Sequence, residues 1–76
     1  MAVSYNNLWK LLIDKKMNKS ELCKATGMSS STMAKLTKEE HVAMPILEKI
    51  CAVLECNIVD VMEFKELEKV KEELEK

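Results

Sequence analysis

The chain has 76 residues, of which 33% are charged and 47% hydrophobic, with twelve basic residues against thirteen acidic ones and a net charge of −1. That length holds a single domain burying only roughly 60% of its unfolded surface, and no apolar run approaches the roughly 18 residues of a membrane span. Cys23, Cys51 and Cys56 make an odd count without disulfide-framework or zinc spacing, and His41 stands alone, so neither a disulfide scaffold nor a metal site is expected. The start, Met1–Asn7, has no signal-peptide character, and the expectation is a soluble, reduced, cytoplasmic protein.

Helical spacing opens the chain. Tyr5, Leu8 and Leu12 line one face of a first helix ending near Lys16, with Trp9 and Ile13 as further candidates for that face. Asn18 caps a second helix, and Glu21 lies three residues on, where it can reach back to the cap; Met17 and Leu22 flank the cap as a hydrophobic staple. Gly27, the only glycine, falls just past the end of that helix, where a left-handed residue is needed. Ser29 then caps a third helix, with Met28 and Met33 at staple positions. So short a connection forces a steep crossing, the helix-turn-helix geometry that lets a second helix enter a DNA groove. After a loop from Thr37 to Ala43, Pro45 sits in the first turn of a fourth helix whose apolar side is Ile46, Leu47, Ile50, Cys51 and Leu54. Asn57 caps a fifth, with Asp60 completing a capping box, and Ile58, Val61 and Met62 close the bundle. No alternating strand pattern is present, so the fold class is all-α: a domain over residues 1–63 and a charged amphipathic helical tail over 64–76.

Charge is informative as a distribution. Residues 1–38 carry seven lysines against Asp14 and Glu21, a net of +5, whereas residues 39–76 carry five lysines against eleven acids, a net of −6. The helix-turn-helix therefore lies in the basic half, where phosphate binding needs it. A lopsided charged surface alone would give the same numbers.

The segments ELCKATGMSSSTMAKL and ILEKICAVLECNIVDVM carry a resemblance. From about Leu8 to Met62 the chain resembles the Cro/C1-type, lambda-repressor-like helix-turn-helix proteins, with Leu22, Gly27, Met33 and Leu36 where that family places apolar or glycine residues. It is similar to the short stand-alone bacterial members without a sensor domain, of which the VanU-type regulators of glycopeptide-resistance operons are one group. The resemblance implies a five-helix bundle, no catalysis and no cofactor, and double-stranded DNA as the partner; a homodimer paired through the tail would match a palindromic operator.

Carried over residue by residue, the resemblance makes the third helix the recognition helix. Met33 and Leu36 turn inward, and Ser30, Ser31, Ala34 and Lys35 face the base edges of the major groove. The adjacent serines suit a helix start equally well, and an exposed lysine is as readily a solvated one. Lys19, at the start of the second helix, and Ser29, Thr32 and Lys38, flanking the third, are the candidate phosphate contacts. Three departures stand out. All twelve basic residues are lysine, so the bidentate arginine–guanine contact is missing. The loop after the third helix reads Lys38-Glu39-Glu40-His41, bringing two carboxylates towards the phosphates. Ala43 stands where the family usually has a capping serine.

In the tail, Leu67, Val70 and Leu74 recur at helical spacing, with Lys65–Glu68 and Glu72–Lys76 as supporting charge pairs. They form a candidate dimer seam, or pack back on the domain. No glycine-rich phosphate loop, nucleophile–base pair or metal-ligand cluster points to an enzyme, and no small-molecule ligand is evident. The competing reading is a protein-interaction module, an antitoxin or anti-regulator using the same fold, which the acidic second half favours.

Overall fold

Caps and turn residues recur about every ten positions, so the helices are short. The computed structural model describes residues 3–75, and among them are five α-helices: α1 (Asn6–Asp14), α2 (Lys19–Thr26), α3 (Ser30–Thr37), α4 (Met44–Leu54) and α5 (Leu67–Leu74). Helices of this length are marginal alone, and the first four are held by one core in which Leu8, Leu22, Leu36, Ile50 and Val61 are wholly buried. α2 packs against α3 and α4. None of the helices is long and apolar enough to cross a membrane.

The starts and stops follow their local chemistry. Asn18 Oδ1 accepts the Glu21 N–H at 2.8 Å while Glu21 Oε1 accepts the Asn18 N–H at 3.0 Å, the reciprocal capping box expected there. Gly27 ends α2 at φ 75°, its N–H donating to the Cys23 carbonyl. Ser29 caps α3. α4 begins at Ala43 with no side-chain cap and with Pro45 in its first turn. Three other helices end on left-handed residues that are not glycine: Lys16 (φ 56°), Glu39 (φ 59°) and Glu55 (φ 53°) follow α1, α3 and α4. Each is locked by a pair of backbone bonds, as when Lys16 donates to Ile13 and Met17 to Leu12, the Schellman ending.

Four expectations change. The chain is not wholly helical: β1 (Val3–Ser4) pairs antiparallel with β2 (Glu63–Phe64), Val3 opposite Phe64 and Ser4 opposite Glu63. Two-residue strands are too short to show alternation, which left no sequence signal for them. The fifth helix of the bundle is a single 3₁₀ turn, Ile58–Asp60, capped at both donors by Asn57 and Asp60 as the spacing implied, and β2 follows too closely for a longer helix. Ile13 is 75% exposed, outside the stripe formed by Leu8 and Leu12. Lys65 pairs with Glu39 at 3.1 Å rather than with Glu68, while the tail's own pairs are Lys69–Glu66 and Lys71–Glu75; the expected Glu72–Lys76 pair lies outside the described residues.

The tail is helical over Leu67–Leu74 only, since Phe64, expected within the helical tail, pairs with Val3 in β2; none of the helix's residues is buried.

The left-handed residues make a stability prediction. Lys16→Gly should raise the unfolding free energy by about 0.5–1 kcal/mol, because relief of roughly 1–2 kcal/mol of left-handed strain exceeds glycine's extra unfolded-state entropy. Urea denaturation measures it, and a loss of stability would mean that the Lys16 side chain outweighs its backbone.

Candidate nucleic-acid interface

The surface presented by α3 is set by what α3 buries. Thr26 Oγ1 donates to the Leu22 carbonyl at 2.8 Å and accepts the Met28 N–H at 3.4 Å, closing the turn around Gly27. Leu36 is wholly buried and Met33 nearly so, which rolls α3 until Ser30, Ser31, Ala34 and Lys35 all point outward. These four expected residues thus share one exposed face.

Hydroxyl groups crowd the start of that face. Ser29 Oγ accepts the Thr32 N–H at 3.2 Å and lies 2.9 Å from Ser31 Oγ and 3.0 Å from Thr32 Oγ1. Ser29 and Ser31 are exposed and Thr32 is half-buried. Lys38 caps the far end, exposed, its N–H donating to the Ala34 carbonyl at 3.0 Å.

Lys19 reaches the same face from α2. Its Nζ donates to Thr37 Oγ1 at 3.1 Å and sits 4.3 Å from the centre of the Trp9 ring, while Thr37 Oγ1 in turn donates to the Met33 carbonyl at 3.1 Å. One ammonium therefore joins α1, α2 and α3, with the ring's negative face and a hydroxyl fixing its position. Trp9 and Thr37 were missing from the sequence-derived site, since ten and eighteen residues separate them from Lys19 and no helical period links such positions. The α2 N-terminus is less open to anions than its position implied, because the Glu21 carboxylate already occupies the Asn18 N–H.

The acidic loop is partly neutralised. Glu39 is drawn away to Lys65, an exposed pair of modest strength. The Tyr5 hydroxyl donates to the Glu40 carbonyl at 2.7 Å, tying the loop to the N-terminal segment. Burial pushes the Tyr5 phenol above its ordinary pKa, offset in part by a hydrogen bond with the Val42 backbone, so the hydroxyl stays a donor. The Glu40 side chain and His41 remain exposed, bordering one shallow depression with Lys35 and Lys38.

Comparison with known proteins agrees with this fold. The sequence profile of the Cro/C1-type HTH DNA-binding domain matches residues 7–66. Among solved structures, the chain is similar to the transcriptional regulator VanUg in its crystal form II, with 53% identity, 82% of this chain and 83% of that chain covered, and a TM-score of 0.80. No curated protein sequence matches.

The Lys19 clasp has its own readout. Ring current from Trp9 should shift the Lys19 side-chain protons upfield in NMR spectra, and Trp9→Leu should abolish the shift. Lys19→Met should cost about 0.5–1 kcal/mol of stability. Random-coil Lys19 resonances in the parent chain would refute the stacking.

Proposed function

The chain belongs to the Cro/C1-type helix-turn-helix DNA-binding family, and from that premise we propose that it is a sequence-specific bacterial transcription regulator acting in the cytoplasm, as the similarity to a solved transcriptional regulator supports. The family binds DNA and is not catalytic. The observation that carries the reading is the single exposed face of α3, held out by buried Met33 and Leu36 and bordered by lysines.

In this reading α3 lies in the major groove. Ser30 and Ser31 exchange hydrogen bonds with base edges, Ala34 touches a thymine methyl, and Lys35 donates to guanine. Lys19, Ser29, Thr32 and Lys38 hold the phosphates on either side and fix the register. Without arginine, base reading rests on single donors instead of planar forks, so DNA shape carries more of the discrimination.

Two copies binding together match a palindromic operator, with recognition helices one DNA turn apart. The 64–76 tail supplies the seam. Leu67, Val70 and Leu74 are 59%, 43% and 81% exposed along one side of α5. Met44, Val59 and Phe64 are also exposed, around an apolar groove of about 740 Å³ beside the strand pair. These six side chains are the exposed apolar surface that a second copy would cover.

Selection from random duplex DNA followed by sequencing tests the whole reading. An enriched motif of two half-sites about ten base pairs apart is expected, and no enrichment even at low salt would overturn it in favour of the protein-interaction role. Within it, Lys35→Ala and Ser31→Ala should each cost about 1–3 kcal/mol on the selected site and far less on random DNA. Lys19→Ala should weaken both and lower the salt slope by about 1. Leu67→Ser with Leu74→Ser should leave a monomer by sedimentation, with binding lost on the palindrome and retained on a half-site. A dimer surviving that change would move the seam elsewhere.

A further inference from the structure

The end of α4 brings two of the three cysteines together. Glu55 is left-handed, the Cys56 N–H donates to the Cys51 carbonyl at 3.0 Å, and the Glu55 N–H donates to Ala52 at 3.4 Å. This is a Schellman ending, and Cys51 and Cys56 hold the two positions whose side chains meet across it. The direct backbone bond brings the two residues side by side across the turn, the closeness a disulfide needs. Both side chains are half-buried against the core, and both are free thiols. Burial and the neighbouring Cys51 sulfur push the Cys56 thiol above its ordinary pKa; Asp60 adds to this and Lys15 opposes it.

We propose that Cys51 and Cys56 form a reversible dithiol–disulfide site, oxidised by exchange with a low-molecular-weight disulfide. One thiolate of the pair attacks a sulfur of that disulfide, the S–S bond breaks, and a small thiolate leaves and takes up a proton. The second cysteine, giving its proton to solvent, then attacks the mixed disulfide, forms the Cys51–Cys56 bond and expels the second small thiol. Two protein thiols are oxidised and one small disulfide is reduced to two thiols, so electrons and protons balance. The bridge pins the left-handed turn at Glu55 and with it the approach of the Ile58–Asp60 turn and the buried Val61. Cys23, on α2, takes no part.

The sequence makes the test direct, because trypsin cleaves after Lys49 and Lys65 and leaves both cysteines in one peptide, 50–65. The folded chain is equilibrated with glutathione and glutathione disulfide, alkylated and digested. The expected result is a peptide lighter by two hydrogens and free of alkyl groups, restored by dithiothreitol and formed equally in Cys23→Ser. The bridge should form at a glutathione ratio about tenfold less oxidising than in denaturing urea, because the native turn holds the thiols together. Two alkyl groups on the peptide, a persistent glutathione adduct, a link to Cys23, or equal bridging in urea would each overturn the proposal.

Discussion

The outward face of α3 depends on the turn that precedes it. A left-handed Gly27, with Thr26 bonded to Leu22 on one side and Met28 on the other, leaves α3 one direction in which to leave α2. Burial of Met33 and Leu36 then sets its rotation. Direction and rotation together decide which four side chains α3 turns outward. A change at the turn therefore alters the exposed face of α3 without touching any residue on it.

A second layer of order comes from lysine held in place. An exposed ammonium on a four-carbon stem ordinarily samples many rotamers, and binding an anion costs the entropy of choosing one. Trp9 and Thr37 make much of that choice beforehand for Lys19. The same economy of position applies to Glu39, whose ion pair with Lys65 draws a carboxylate from the lysine-bordered loop. A chain with a net charge of −1 thus keeps a usable positive face by arrangement rather than by excess.

What the sequence revealed was whatever is encoded within about five residues. The Asn18–Glu21 box, the Gly27 turn, the Ser29 cap and the inward stripe of Met33 and Leu36 are all local, and each was legible. The Asn57–Asp60 box is equally legible, but a capping box marks where a turn begins and not how long it runs, so a 3₁₀ turn and a helix look alike in sequence. The strand pair, the Lys19 clasp and the Lys65–Glu39 pair join positions from ten to about sixty residues apart. Only the assembled core brings such positions together, and no periodicity announces them. Non-glycine left-handed ends at Lys16, Glu39 and Glu55 are illegible for the opposite reason: the residue type argues against the conformation, and the backbone bonds around it prevail.

The pairing of Val3–Ser4 with Glu63–Phe64 bears on how the molecule assembles and opens. The turn contacts form between near neighbours, which favours fast folding, but the strand pair closes a loop of about sixty residues and gains little until the helices have docked. It is therefore a late event in folding and an early one in local unfolding. When it parts, the segment leading into Tyr5 loosens, and so does the start of the tail. Hydrogen exchange at the backbone of these four residues would then report an opening separate from the slow exchange of the helical core.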